Sequence, residues 1–252
     1  MEIPRYLAMT AAEFRRAVQL PTHLAWMACH FSAYGTGLSN VPRTLPRSSM
    51  LMLNDRTPIC GHDPEAVAKT LIETGSTLEC KCILLDFQRE GCEALFSVID
   101  AVLKRANCPV GVSAPYAIGF DCPVLVPPIP PHILPAEALA PWEGRELWLE
   151  LSAEGTEICV TEEGSRSTPL PNYIPTEPSH QETALYCHYT ITLEEGRILF
   201  QLGRTKEDQA SLLEATKALG VTHALGLWQE IKSQPAVPAA IFATNLPRER
   251  HT

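Results

Sequence analysis

The stretch that decides the fold is "KCILLDFQREG", Lys81 to Gly91, followed by "CEALFSVIDAVLKRAN", Cys92 to Asn107. The first segment predicts a buried strand, because apolar residues run without a break from Cys82 to Leu85. The second predicts a helix, because its apolar residues recur at spacings of three and four: Leu95, Phe96, Ile99, Val102 and Leu103. The chain therefore contains a strand followed directly by an amphipathic helix.

The same kind of pattern stands before this segment. "MLMLN", Met50 to Asn54, predicts a strand, and the helix after it is expected to start with Asp63 as N-cap and Pro64 at its first position. Nearer the start of the chain, Thr10 and Glu13 have the spacing of a capping box, so "TAAEFRRAVQL" predicts a helix that precedes the first strand. Strands and helices thus alternate along this half of the chain.

Other short apolar runs bounded by Pro or Gly extend the pattern. We predict further strands in the segments 23–31, 109–116, 123–128, 145–151 and 223–231, with a short helix at 135–139 and another that starts near Thr205 and Asp208. About eight strands run parallel in this interpretation, and that number closes a TIM-like (β/α)8 barrel, here degenerate with reduced helices. A doubly wound open sheet is the competing architecture, but no Gly-rich fingerprint that opens a helix follows any predicted strand.

One part of the chain departs from strand and helix alternation. "TEICVTEEG" and "YCHYTITLEEGRILFQLG" have the character of hairpins, which predicts an antiparallel hairpin insertion over residues 156–202. We expect residues 1–233 to form a single barrel domain that contains this insertion, and residues 234–252 to form a C-terminal tail.

Composition excludes several classes of function. The 252 residues carry a net charge of -9 and no basic cluster interleaved with aromatic residues, so neither nucleic acid nor a membrane surface is an expected partner. The nine cysteines are odd in number and include no Cys-x-x-Cys, which predicts buried thiols in a reducing compartment and hence a cytoplasmic protein. We expect no metal and no cofactor, since phosphate-binding loops are absent as well.

In a barrel the active site lies at the carboxyl ends of the strands, where the loops gather. Polar and aromatic residues at the predicted strand ends are therefore the candidates: Asp86, Glu150 and Asp55 for catalysis, and Gln88, His30, Tyr116, Trp228 and Glu230 for binding a ligand. Each also has a structural interpretation. Asp86, for example, has the position of a helix cap or an ion-pair partner, and Trp228 that of a core residue.

Acids and aromatic residues at strand ends resemble the sites of sugar-cleaving barrels. More narrowly, "ILLDFQ" resembles the strand of family-eighteen chitinase-type glycoside hydrolases, whose pattern is Asp-x-Asp-x-Glu, and the closing "GLW" resembles the Trp-bearing last strand of that family. In this resemblance Leu84 stands where the first Asp would be, Asp86 matches the second, and Gln88 takes the place of the catalytic Glu. An amide cannot donate and recover a proton as a carboxylic acid does, so Glu150, and then Asp55, are the acids that would substitute.

The resemblance implies a glycoside-hydrolase-like barrel that binds a carbohydrate, with hydrolysis left open. Two alternatives remain at this point: a carbohydrate-binding barrel without catalysis, and a structural or interaction protein whose hairpin insertion contacts another chain. The expected ligand is a small molecule or an oligosaccharide. The sequence does not determine the sugar or the oligomeric state.

Overall fold

A computed structural model shows the architecture of the chain and describes residues 2–33, 37–59, 61–89, 92–171, 173, 179–194, 196–228 and 230. The predicted tail, 234–252, lies outside this set, as do residues 229 and 231 of the last predicted strand. The strands are β1 Arg5–Met9, β2 Leu24–Phe31, β3 Leu38–Ser39, β4 Met50–Asn54, β5 Cys82–Asp86, β6 Val110–Ser113, β7 Val124–Val126, β8 Leu147–Leu151, β9 Gly155–Thr161, β10 Gly164–Leu170, β11 His180–Glu182, β12 Cys187–Glu194, β13 Arg197–Gly203 and β14 Val221–Leu227. The helices are α1 Ala11–Arg16, α2 Pro64–Thr77, α3 Glu93–Arg105, α4 Pro135–Leu139 and α5 Lys206–Thr216, with short 3-10 turns at Ala140–Trp142 and Lys217–Leu219.

Eight parallel strands close into a barrel in the order β1-β14-β8-β7-β6-β5-β4-β2, and β2 returns to pair with β1. The predicted TIM-like barrel is therefore confirmed, and so are its reduced helices: β6 leads into β7 with no helix between them. Among the helices that the structure describes, none combines the length and the apolar character needed to cross a membrane.

The first barrel strand, Arg5–Met9, was not predicted, and the first strand is therefore not Leu24–Phe31. Its Leu, Ala and Met favour helices when judged by propensity, and it runs straight into the capping box of α1, so no turn separates the two elements. That capping box is present as predicted, with Thr10 and Glu13 satisfying each other's backbone N–H. Asp63 and Thr205 likewise cap α2 and α5.

The antiparallel insertion predicted as part of the fold is also confirmed. Strands β9 to β13 form a separate five-stranded sheet in the order β10-β9-β13-β12-β11, entered after barrel strand β8 and left before α5. Adjacent strands pair antiparallel throughout this sheet.

The inside of the barrel is filled in its lower and middle part. We call this set the lumen plug: Tyr6, Ala8, Ala25, Met50, Met52, Cys82, Leu84, Leu125, Trp148 and Leu225, all buried and in contact as one cluster. Gly111 on β6 belongs to the same packing, because a Cβ at this position would lie 2.4 Å from the Trp148 ring. Residues of the opposite parity, such as Leu51 and Ile83, face outward and join the core beneath α2 and α3. The lumen is thus packed and contains no through channel at this level.

Candidate functional site

Above the lumen plug the inward positions change from apolar to polar. Asn54 follows Met52 on β4, Asp86 follows Leu84 on β5, and Glu150 follows Trp148 on β8, each two residues further toward the carboxyl end of its strand. Asn54 and Asp86 are direct neighbours in the sheet register. We call these residues and His30 the rim layer.

His30 reaches the rim layer because β2 contains a bulge. The pairing of β2 with β4 shifts between Trp26 and Cys29, so that His30 pairs with Asn54. Without the extra residue His30 would face the opposite side of the sheet. Asn54 holds this bulge in place, because its side-chain amide donates a 2.8 Å hydrogen bond to the carbonyl of Met27.

The ring of His30 is held by several partners. Its Nε2 lies 2.9 Å from the amide nitrogen of Asn40, and its Nδ1 lies 2.8 Å from the carbonyl of Phe31 and 3.0 Å from the Thr57 hydroxyl. Because the Asn40 amide is a donor, these contacts fit a neutral ring with the proton on Nδ1.

Asp86 and Gln88 form a pair. Gln88 Nε2 donates a 2.6 Å hydrogen bond to Asp86 Oδ1. Burial raises the pKa of Asp86, the hydrogen bond from Gln88 opposes that change, and the charge of Asp55 adds to it. His30, Asp55, Asp86 and Gln88 all line one cavity of about 610 Å³, which we call the rim cavity.

Glu150 is the most strongly perturbed acid of the rim layer. Burial, followed by the charges of Asp86 and Glu230, raises its pKa to about 7. No group in the described part of the chain donates a hydrogen bond to its carboxyl, and it lines a second cavity of about 330 Å³, the side cavity. The structure thus brings Asp86 and Glu230 each within range of the charge of Glu150, although Asp86 and Glu150 line different cavities. Glu230 also accepts a 3.0 Å hydrogen bond from the backbone of Ala153.

Asp55 is bonded to the backbone of the segment that follows β5. It is 4% exposed, and its carboxylate accepts hydrogen bonds from the backbone N–H of Gln88 (3.1 Å) and of Arg89 (2.7 Å). Arg89 in turn donates to the backbone carbonyls of Asp55 and Arg56. These bonds fix the turn that presents Gln88, and the acid role predicted for Asp55 stays a prediction.

Neither predicted aromatic residue lines the rim cavity. Tyr116 is 2% exposed; its ring packs against Phe87 and Phe96, and its hydroxyl donates to the carbonyl of Arg89. Trp228 follows β14 instead of belonging to it and packs against the outer core. Both contacts are those of packing residues, and the ligand-binding role predicted for Tyr116 and Trp228 stays a prediction.

Several residues of the site were missed by the sequence analysis. Asn54 holds the bulge in β2, and Arg204, Gln209 and His132 line the side cavity. Of these, only Gln209 lay next to a recognisable sequence signal, because it follows Asp208, which forms a capping box with Thr205. In the described ranges, no group of three or more His, Cys, Asp or Glu side chains is arranged to hold a metal ion.

Comparison with known proteins identifies solved structures with a similar fold. No protein-family profile matches the chain, and no curated protein matches it by sequence. Solved structures do match: a family-eighteen glycoside hydrolase, the N-acetylglucosaminidase of Paenibacillus barengoltzii, has a TM-score of 0.56 at 7% identity, covering 90% of this chain and 95% of that one. A chitinase from Chromobacterium violaceum has a TM-score of 0.54 at 10% identity, covering 96% and 97%. A chitinase-like agglutinin from Robinia pseudoacacia has a TM-score of 0.51 at 8% identity, covering 88% and 94%. At these identities the likeness shows the fold, and the resemblance to family-eighteen barrels holds at that level.

Proposed function

We propose that this protein binds a carbohydrate at the mouth of its barrel. The observation that carries the proposal is the Asp86–Gln88 pair, a half-buried carboxylate and an exposed amide joined by a 2.6 Å hydrogen bond at the wall of the rim cavity. Carboxylate and amide groups accept and donate hydrogen bonds in the planar geometry that suits neighbouring hydroxyls. The cavity lies at the carboxyl ends of the strands, where ligands of this fold bind.

The similar structures support the same class of ligand without deciding between binding and turnover. Two are described as a chitinase and an N-acetylglucosaminidase, and one as an agglutinin. The fold is therefore compatible with a hydrolase and with a protein that only binds.

A glycan array tests the binding proposal directly. We expect the intact chain to retain a defined set of oligosaccharides, Asp86→Asn to lose them, and Glu162→Gln, a change in the exposed turn between β9 and β10, to bind like the wild type. Loss of binding in both variants would point to a folding defect, so circular dichroism accompanies each. A folded wild type that binds no glycan on the array would overturn the proposal.

Hydrolysis with Glu150 as general acid is the second candidate function. It is favoured by one observation: Glu150 lines the side cavity with no hydrogen bond to its carboxyl from any described residue, and burial together with two acidic neighbours raises its pKa to about 7. An acid with a pKa near the working pH is half protonated, as a proton donor to a glycosidic oxygen must be. Turnover of chromogenic glycosides that disappears in Glu150→Gln supports this function, and a clean negative across the panel with retained binding leaves the binding barrel.

The third hypothesis, an interaction protein, is favoured by the antiparallel sheet. Three apolar side chains on one face of β12 and β13 are exposed, at 46% for Ile191, 77% for Leu193 and 37% for Ile198. A defined oligomer by light scattering that Leu193→Glu dissociates, combined with no glycan binding, would support it over the other two.

A further inference from the structure

The side cavity is separate from the rim cavity and has its own chemistry. It lies between the carboxyl ends of β7 and β8 and the start of the antiparallel sheet, and helix α5 closes one side. Its polar lining includes His132, Glu150, Ser152, Thr156, Arg204 and Gln209. At about 330 Å³ it falls at the lower end of the volumes that small-molecule ligands occupy.

Arg204 is a half-buried cation whose guanidinium is bonded to the backbone. Its guanidinium donates to four backbone carbonyls, those of Ile129, Pro130, Leu185 and Tyr186. A guanidinium has five N–H groups, so one N–H on Nη1 has no acceptor in the described part of the chain. No salt bridge to an acidic side chain is found for Arg204 among the described residues; burial lowers its pKa to about 10, and the charge of Asp208 opposes that change at longer range. Asp208 is itself bonded to His188, so the remaining N–H of Arg204 is the group that an anion in the cavity can meet directly.

The other polar groups of the side cavity are also without full partners. Gln209 is 5% exposed, and the one hydrogen bond of its side chain to a described residue is long, 3.4 Å from Nε2 to the carbonyl of Ser152. Its amide oxygen thus keeps its acceptor capacity. Burial lowers the pKa of His132, and the nearby charge of Arg204 lowers it further. Glu150 occupies the opposite part of the lining.

We propose that the side cavity takes a sugar that carries a carboxylate. The carboxylate would lie at Arg204 and His132, and the hydroxyl groups would meet Gln209 and Glu150. A singly charged anion suits the site better than a phosphate, because Glu150 and Glu154 also line it and would repel a charge of about -1.5 to -2 more strongly. This inference rests on the proposed carbohydrate binding and specifies the class of sugar.

Calorimetric titration of the full chain with matched pairs of probes tests the inference. One pair is trigalacturonic acid and its methyl ester, in which the carboxylates are masked. The other is N-acetylmuramic acid and N-acetylglucosamine, which differ by a lactyl ether that carries the carboxylate. We expect the acidic member of at least one pair to bind about tenfold tighter or more, as a charge-assisted hydrogen bond allows. The pair that shows the preference identifies whether the carboxylate belongs to the ring or to an ether substituent.

Variants locate the preference. Arg204→Met should abolish the preference for the acidic member. Arg145→Met is the matched control, because Arg145 likewise donates to backbone carbonyls, three in number, but lies at the amino end of β8, away from the side cavity. If Arg204→Met does not fold, His132→Phe should still reduce the preference at least severalfold while leaving the neutral member unaffected. An unchanged preference in a folded Arg204→Met, or in His132→Phe where Arg204→Met does not fold, would overturn the inference.

The failure of this inference is distinguishable from that of the proposed function. Equal affinity for both members of each pair, lost in Asp86→Asn, would remove the carboxylate preference and leave carbohydrate binding intact. Absence of binding to every member, with a blank glycan array, would remove both.

Discussion

The lumen plug and the rim layer lie on the same strands and differ in polarity and in how much of each side chain is buried. Met50 and Met52 on β4, and Cys82 and Leu84 on β5, are buried apolar residues, whereas the next inward positions are Asn54 and Asp86. The plug fills the barrel and needs no polar partner. The rim layer places carboxyl groups where burial raises their pKa, which lowers the stability of the folded state.

This difference separates residues that the fold requires from residues that it tolerates. A barrel gains stability from each apolar side chain in its lumen, so the plug is explained by packing alone. The half-buried carboxyl of Glu150, which accepts no hydrogen bond from a described residue, has no such explanation, and acids with raised pKa values concentrate at functional sites. The comparison therefore predicts opposite effects of substitution in the two layers.

The largest effect is expected in the plug. Trp148→Ala removes the largest fully buried side chain and leaves a cavity against Gly111, so we expect the free energy of unfolding to fall by about 3–5 kcal/mol. Urea denaturation measures it, with Trp228→Ala as the control because Trp228 is only partly buried. A loss below about 1 kcal/mol would mean that the lumen is not packed as described.

Glu150→Gln should act in the opposite direction and depend on pH. The pKa of Glu150 rises from its ordinary value of 4.5 to about 7 in the folded protein, so the folded state holds its proton more tightly than the unfolded chain. Wild-type stability therefore decreases as pH rises from about 4.5 to about 7, by up to about 3 kcal/mol from this group. The variant lacks this titration and should be more stable than the wild type at pH 8 and similar to it at pH 4.

Urea denaturation at several pH values measures this effect, and Glu162→Gln, in an exposed turn, should leave the pH profile of the wild type unchanged. If Glu150→Gln retained the wild-type slope between pH 4.5 and 7, the carboxyl would not be buried beside Asp86 and Glu230.

Asp55→Asn is expected to cost about 2 kcal/mol, because an amide cannot accept all the backbone N–H groups of Gln88 and Arg89 that the carboxylate accepts. Unlike the loss in the plug, this one should also disturb the site, since the same bonds hold the turn that carries Gln88. Denaturation measures the first effect and glycan affinity the second. A variant that loses stability but keeps full affinity would show that the turn does not position the ligand.

The barrel could be predicted because parallel strands buried on both faces have continuous apolar runs, as at 82–85. The rim positions of Asp86, Gln88 and Glu150 followed from counting alternate residues toward each strand end. The strand Arg5–Met9 was missed because a five-residue run rich in helix formers becomes a strand only through its pairing with β2 and β14.

What the sequence analysis did not foresee are contacts between segments distant in sequence. Asp55 anchors a turn more than thirty residues away, and Tyr116 is buried by rings from two other segments. The inward orientation of His30 depends on a bulge that only the pairing with β4 reveals. Arg204 meets carbonyls from two loops. None of these relations leaves a periodic signal in the sequence, since each depends on where the chain returns in space.

The smallest effect on stability is expected at the outermost residue of the site. Gln88 is exposed, so Gln88→Leu should change the free energy of unfolding by less than about 1 kcal/mol. The same change removes the hydrogen bond that lowers the pKa of Asp86, which should therefore rise further, as titration followed by NMR of the carboxyl carbon would show. Glycan affinity should fall at least severalfold, because the amide that would bond a hydroxyl is lost at the cavity wall. A large stability loss with unchanged affinity would show that Gln88 serves the fold, as the residues of the lumen plug do, and not the binding of a ligand.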